Sequence, residues 1–406
     1  MRALVLGKGG REHALSWSLA AAGADVFAMP GSDGIATVAR PIAGDAADAL
    51  QVLDQVRRLK IDLVVPGPEE PLVRGIAEDL RAQGVPVFGP DRQGAQIEAS
   101  KAYAKTLMRA AGIPTAAASL CQDFGAVEQT LAVHPERTVV KADGLAAGKG
   151  VIVAEDAAGA RRAARRLLGQ YPSVLLEERL RGPEVSLIAL CHGRDYRLLP
   201  FARDHKRLLA GDLGPNTGGM GAFAPVLDTP VKAEECAERT IAPLLRLLAE
   251  RGTPYTGALY AGLILTERGP MALEYNVRFG DPETQALLPA LSGSILPWLM
   301  GAANGRLPAE SPQLARHALG VVLAAAGYPD EPEAGAVIRG IEDAKAAGAL
   351  VFHAGTRRQA GDWQVAGGRV LCVVGQGETP QQARSAAYDA VRKISFAGAQ
   401  WRDDIG

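Results

Sequence analysis

The chain reads as an α/β and α+β multidomain protein: an N-terminal open parallel α/β sheet, a central domain with a small lid subdomain, and a small C-terminal α+β domain. Three observations carry that reading. Up to about residue 98, short apolar strands alternate with helical segments, the pattern of an open sheet covered by helices. From 99 to about 312, pairs of strands joined by glycine-rich turns dominate, with a lid expected over about 113–183. From 313 to 406 strands are followed by one helix, TPQQARSAAYDAVRKI, with Thr379 as its cap. A chain of 406 residues is long enough for roughly two to four domains with real cores.

In order, RALVLG is a buried parallel-type strand, and GGREHALSWSLAAAG opens a helix directly after it. DVFAMPG, IDLVVPG and VPVFGP supply three further strands. Loops at 7–10, 30–31 and 66–70 follow three of these strands and share the carboxyl edge of the sheet, where ligands of open sheets sit. The first loop is not a dinucleotide fingerprint. Its third glycine is missing, and Met29-Pro30 stands where an acidic residue would hold the ribose. Gly9 and Gly10 followed by Arg11 suit a single phosphate, held by backbone N–H groups and the helix dipole. A tight strand-to-helix turn without a ligand is the alternative.

IEASKAYAKTLMRAAGIPT predicts one capped helix ending at Gly112, with Ser100 and Lys101 near its start. VVKADGLAAGKGVIV (139–153) predicts two strands around a loop of small residues. It is not a Walker A loop, because Gly150 stands where a hydroxyl would have to hold magnesium. Its glycines still let backbone N–H groups approach phosphates, with Lys149 and Lys141 as countercharges. In SVLLEERLRGPEVSLIAL, residues 177–180 form a connector whose backbone could pair with an adenine edge, with Glu184 on the ribose hydroxyls. Exposed acids on an edge strand would explain that stretch equally well. DHKRLLAGDLGPNTGGMGAFAP (204–225) reads as a long polar run without strands, and such runs in compact proteins are usually functional or disordered. Asp204, Lys206, Asn216 and Thr217 are its candidates for a catalytic loop.

The densest stretch is LEYNVRFGDPET (273–284). Glu274, Asn276 and Arg278 stand at spacing two, which puts them on one face of a strand. The apolar strand GALYAGLILT turns into it through residues 267–269, a hairpin. Two oxygen donors beside a guanidinium suit Mg²⁺ carrying phosphate oxygens. GDPET adds Asp281 and Glu283 around Gly280 and Pro282.

The bulk composition excludes other classes. With a net charge of −1 and interspersed charges, no nucleic-acid footprint is present. Cys121, Cys191, Cys236 and Cys372 are scattered, as buried thiols of a reducing cytoplasm are. KGGREH breaks the apolar start, so a signal peptide is not expected, and no run has membrane-spanning length. A cytoplasmic location without membrane or nucleic-acid partners follows as the expectation. The C-terminal region shows no chemical constellation of its own.

GKGGREHAL, VVPGPEEPLV, SKAYAK, KADGLAAGKGV, EERLRGPEVS, DHKR, GPNTGGMGA, EYNVRFGDPETQ, FHAGT and RDDIG, in that order, resemble the ATP-grasp superfamily. Within it, they resemble the ligases that join glycine to 5-phosphoribosylamine. The resemblance spans the chain and implies an ATP-grasp domain at 99–312, between a 1–98 domain and a 313–406 domain. It implies ATP with Mg²⁺ or Mn²⁺, an acyl-phosphate mechanism, and a monomer or weak dimer. Glu274 and Asn276 would hold the metal, and Arg278, Lys141 and Lys206 would bear on phosphates. Lys101, Gly148, Lys149, Gly150, Glu177, Glu178, Leu180 and Glu184 would take the nucleotide. Gly9, Gly10, Arg11, Glu12, Pro68 and Glu69 would take the phosphoribosylamine. Asn216, Thr217, Gly218, Gly219 and Gly280 would line the substrate site, with Asp204 and Asp281 meeting amino groups.

Three departures stand out. LLGQYPSVLLEE is short where the family carries a longer glycine-containing flap, and Leu213 replaces a common threonine. LYAGLILT offers no acidic metal ligand before Glu267. An ATP-grasp ligase with another acceptor is the nearest alternative, and a nucleotide-binding regulator without turnover is the next. Retention of Glu274, Asn276, Arg278 and Lys141 together argues against the regulator.

Overall fold

The computed structural model describes residues 1–146 and 150–406. Its N-terminal sheet is parallel, in the order Arg40–Pro41, Asp25–Pro30, Arg2–Gly7, Leu63–Pro66. The apolar run of Arg2–Gly7 is buried on both faces, as a central parallel strand should be. The three glycine- and proline-rich loops do lie at one edge. VPVFGP does not form the expected strand: Val87 makes only an isolated bridge to Val64. Pro86 and Pro90 flank it and cannot donate to a ladder.

The helix expected from Ile97 is two helices, Arg92–Ala99 and Lys101–Ala110. Ser100 between them is extended, and its hydroxyl accepts from Tyr103 N as the N-cap of the second. A serine that satisfies an orphan N–H starts a helix instead of continuing one.

Asp195–Leu198, Glu184–Gly193, Tyr255–Thr266 and Gly269–Asn276 form the central antiparallel sheet. The hairpin read from the sequence is present, and its register sets Gly262 opposite Glu274 and Tyr260 opposite Asn276. The lid sheet runs Ala118–Cys121, Val174–Glu177, Val139–Ala142, Val151–Val153. Helices Phe124–Val133 and Ala157–Leu168 complete it around a separate core of residues such as Val127, Val140 and Leu176.

The stretch 204–225 is not strandless. Arg207–Leu209 and Leu213–Asn216 form a small hairpin. Arg203–Asp204 and Gly221–Ala224 join His317–Ala324, Arg369–Gly377 and Leu350–His353 in one five-stranded sheet. Polar and glycine-rich composition hid these short strands, and the pairing that ties Gly221–Ala224 into the larger sheet reaches His317–Ala324, about a hundred residues away in the chain. Layers therefore interleave across the 312/313 border. Helix Pro380–Val391, capped by Thr379, packs on this sheet. All four cysteines are free and buried. Among the described residues no helix is long and apolar enough to cross a membrane.

Candidate active site

Alternation in Gly269–Asn276 buries Tyr275, with Val277 just beyond the strand, and leaves Glu274, Asn276 and Arg278 half-buried on the other face. Burial raises the pKa of Glu274, but Lys141, Lys206, Lys101 and Arg278 outweigh it and hold this carboxyl below the usual range. Cations from three separate segments thus bear on one carboxylate. Opposite it Gly262 adds no bulk: a Cβ there would stand 3.4 Å from Glu274 Cγ.

Arg278 ties this strand to the N-terminal domain. Its Nη2 donates to Glu98 Oε1 at 2.8 Å and to Asn276 Oδ1 at 3.2 Å, and its Nε lies 3.4 Å from Glu69 Oε2. Burial opposes the charge, but Glu98, Glu69 and Glu283 more than offset it, so the guanidinium stays protonated. Glu98 also accepts from Val277 N at 2.7 Å. Sequence reasoning missed Glu98, which reads as an ordinary helical glutamate.

Lys141 is buried with its Nζ 3.0 Å from Glu177 Oε2 and 2.9 Å from the Leu273 carbonyl. Lys105, also missed, reaches Glu177 Oε1 at 3.2 Å. Glu177 is 1 % exposed and answers two buried ammonium groups. The sequence reading gives residues 177–180 a nucleotide contact through their backbone, and the Glu177 carboxylate itself, at the end of an inner lid strand, is a counter-ion to these two lysines. Glu178 accepts from Ala117 N at 3.2 Å and from Arg268 at 3.3 Å, with Leu180 half-buried beyond it. Lys101 donates to the Gly144 carbonyl at 3.1 Å, and Asp143 accepts from Ser100 Oγ and Ala102 N. Gly148 and Lys149 lie outside the described residues. Gly150, buried, accepts through its carbonyl from Ala142 N at 2.7 Å.

Lys206 stands between Asp204 Oδ1 at 3.0 Å and Glu184 Oε2 at 3.1 Å. Burial lowers its pKa, but Asp204 and Glu184 raise it well above the ordinary lysine value. Glu283 accepts from Tyr260 OH at 2.8 Å and Ser186 Oγ at 3.1 Å, and burial with nearby Asp204 pushes its pKa up. Thr217 donates its N–H and hydroxyl to the Lys206 carbonyl, both at 2.8 Å, and Asn216 Nδ2 donates to the Val151 carbonyl at 3.1 Å.

The loops of the N-terminal edge meet this cluster at GDPET. Arg11 Nε lies 2.6 Å from Glu12 Oε1, and Arg11 Nη1 donates to the Phe279 carbonyl at 3.2 Å. Glu12 accepts from Gly9 N at 2.6 Å, and side chains at Gly7 or Gly67 would collide with it. Gly10 opens the helix, and Pro68 is the N-cap position before Glu69. A Cβ at Gly9 would stand 3.9 Å from Asp281 Oδ2, and one at Gly280 would strike Glu283. Asp281 is paired with Arg369 at 3.0 Å and accepts from Gln285 at 2.7 Å. Arg369 also donates to the carbonyls of Gly218 and Asp281, at 2.7 and 2.8 Å. Burial raises the Asp281 pKa, yet Arg369 and Arg11 bring it below the ordinary value. The C-terminal domain, which shows no constellation of its own, therefore contributes one residue to this one, Arg369. A lone arginine beside paired glycines at 367–368 gave no periodic signal. Gly219 adopts φ +112°, a backbone that favours glycine, with Pro282 packed against it.

Among the described residues no group of three or more His, Cys, Asp or Glu is arranged to hold a metal. Glu274 and Asn276 offer two hard oxygens, which suits an ion whose other ligands are water and phosphate.

Models of the phosphoribosylglycinamide synthetase N domain, ATP-grasp (A) domain and C domain match residues 1–98, 99–284 and 318–406. A phosphoribosylamine–glycine ligase of Mesorhizobium japonicum is 44 % identical, with 100 % of this chain and 98 % of the relative covered. One from Nostoc sp. is 46 % identical over 100 % and 99 %. The crystal structure of phosphoribosylamine–glycine ligase from Thermotoga maritima superposes with a TM-score of 0.89 at 34 % identity, covering 100 % of both chains. The ADP complex of an N5-carboxyaminoimidazole ribonucleotide synthetase shares the fold, with a TM-score of 0.67, 18 % identity and 96 % of each chain covered.

Proposed function

The chain belongs to the phosphoribosylglycinamide synthetase family, and on that premise we propose how its residues join glycine to 5-phosphoribosylamine with ATP. It is an ADP-forming carboxylate–amine ligase of purine biosynthesis, and the products are glycinamide ribonucleotide, ADP and phosphate. One observation supports the site assignment best: on the strand that carries both oxygen donors, Lys141 donates to the Leu273 carbonyl beside Glu274 at 2.9 Å and Arg278 donates to Asn276 Oδ1 at 3.2 Å.

A carboxylate resists attack until one oxygen becomes part of a leaving group. An oxygen of glycine attacks the γ-phosphorus of ATP, and ADP departs with the electrons of the broken P–O bond. The amino nitrogen of phosphoribosylamine then attacks the glycyl carbonyl, phosphate leaves with the C–O electrons, and the amine sheds a proton. The protein's work in both steps is positioning and charge neutralisation. Lys141, rigid in the lid, and Lys206, on the opposite arm, neutralise phosphate oxygens, with Arg278 at the end of the strand. Lys101, the Gly148–Lys149–Gly150 loop, the connector from Glu178 to Leu180, and Glu184 surround the nucleotide. Glu177 serves from behind by holding Lys141. Glu274 and Asn276 would hold Mg²⁺ or Mn²⁺, which when bound supplies further charge neutralisation at phosphate oxygens.

Gly9, Gly10, Arg11, Glu12, Pro68 and Glu69 take the phosphoribosylamine, whose phosphate finds N–H groups at a helix start. Asn216, Thr217, Gly218, Gly219 and Gly280 line the small glycine site. Asp281, kept ionised, and Asp204 face the amino groups. The assay follows ADP with ATP, Mg²⁺ and glycine, with and without phosphoribosylamine. ADP release that needs both substrates is the expected result. Release with another carboxylate redirects the substrate assignment, and silence throughout points to the regulator.

A further inference from the structure

The C-terminal tail runs beneath the hairpin that follows Lys206. Arg402 is 1 % exposed, although the hairpin above it is mostly open to solvent. Its guanidinium grips Asp404 with two bonds, Nε to Oδ1 and Nη2 to Oδ2, both at 2.7 Å. Its Nη1 donates to Asp212 Oδ1 at 2.8 Å and to the Arg207 carbonyl at 3.2 Å. Asp404 Oδ2 accepts from Gly211 N at 2.8 Å. Three points of the hairpin thus hang on two residues of the tail.

The tail has its own anchor. Ile405 is wholly buried, and its N–H donates to Tyr388 OH at 2.9 Å, while that hydroxyl donates to the Arg402 carbonyl at 3.1 Å. Arg384 holds the carbonyls of Asp403, Ile405 and Gly406. The hairpin lacks such an apolar hold, since Leu209 and Leu213 are 51 % and 63 % exposed. Burying a guanidinium is costly unless it is fully paired, so a buried arginine under an exposed loop is an expensive way to achieve mere cohesion. Its bidentate fork does, however, fix direction.

The hairpin's two ends are where the direction counts. Its first strand starts one residue after Lys206. Its second ends at Asn216, which bonds the Val151 carbonyl across the glycine-rich hairpin. Next comes Thr217, which holds the Lys206 carbonyl. We infer that Arg402 is a positioning residue for Lys206, acting through Asp404, Asp212 and the hairpin backbone. This inference rests on the assignment of Lys206 to the transferred phosphoryl group.

The test combines steady-state kinetics with thermal melting on the full chain. Arg402→Ala is expected to lower kcat about ten- to a hundredfold, the scale of a small misplacement of a reacting group, with KM for ATP moving far less. Arg402→Lys keeps a charge but not the fork, and recovers only part of kcat. Asp212→Asn retains a residue that tolerates its φ of +54° and loses a few-fold in kcat at unchanged melting temperature. It decides the matter if Arg402→Ala does not fold. In the Lys206→Ala background, neither change reduces kcat further. Wild-type kcat in Asp212→Asn and Arg402→Ala, or losses that multiply with Lys206→Ala, overturns the inference alone. An unimpaired Lys206→Ala overturns the Lys206 assignment, and the inference with it.

Discussion

Lys141 and Lys206 both bear on Glu274, yet the molecule holds them in opposite ways. Lys141 is 6 % exposed and locked between Glu177 and the carbonyl just before Glu274. Lys206 is 42 % exposed and balanced between two acids on a short arm. One cation belongs to a core whose geometry is set before any ligand arrives. The other sits where its side chain can follow a charge that moves. A phosphoryl group that migrates from nucleotide to carboxylate calls for both kinds of contact: a fixed field and an adjustable one.

The largest disturbance removes what both cations address. Glu274→Ala is expected to reduce kcat by about a thousandfold or more, in line with loss of preorganised charge at a reacting centre. The fold survives because the side chain faces outward from the core of the strand. Near-normal turnover at saturating Mg²⁺ would show that this carboxylate is not a metal ligand.

Breaking the fixed side comes next. Glu177→Gln leaves Lys105 and Lys141 within one pocket without a countercharge. Breaking a buried pair in this way costs about 3–5 kcal/mol, to be read from denaturant unfolding. kcat should fall with it, since Lys141 loses its anchor. A variant as stable as the parent would mean that water already compensates these ammonium groups.

The same cluster can be probed by pH. Burial lowers the Lys105 pKa from 10.5 to about 8, with Glu177 opposing and nearby Lys141 reinforcing the shift. A lysine with a folded pKa below its unfolded value disfavours folding while protonated. That penalty is complete below about pH 8 and fades as pH rises to 10.5, because the unfolded chain binds more protons in that window. Unfolding free energy of the parent minus that of Lys105→Met should therefore rise between those pH values, by at most about 3 kcal/mol. A flat difference would place the lysine in a wetter site. Lys206, shifted upward, contributes nothing of that sign.

The contrast between the two lysines also marks what could be read from the chain. Glu274, Asn276 and Arg278 were legible because a strand face repeats every second residue, and the lid hairpin around Lys141 because its strands are adjacent. The counter-ions were not. Glu177 pairs with Lys141 of a neighbouring strand and with Lys105 of the helix Lys101–Ala110, Glu98 meets Arg278 across 180 residues, and Arg369 meets Asp281 across the domain junction. No local periodicity encodes such pairs, and each partner alone resembles a surface charge. The helix break at Ser100 was missed for a neighbouring reason: its hydroxyl's N-capping bond competes with helix continuation, and composition does not say which wins.

The smallest expected effect tests the adjustable side. Glu184 is half-exposed and shares Lys206 with the far better buried Asp204. An exposed ion pair is worth about 0–1 kcal/mol, so Glu184→Gln should leave the melting temperature essentially unchanged. Lys206 remains charged through Asp204, and kcat should change only about two- to threefold. If Glu184 also meets the ribose hydroxyls, the loss appears in KM for ATP, since a contact made equally in ground and transition states acts there. A large fall in kcat would mean that Lys206 is held as rigidly as Lys141, and the contrast between a fixed and an adjustable cation would disappear.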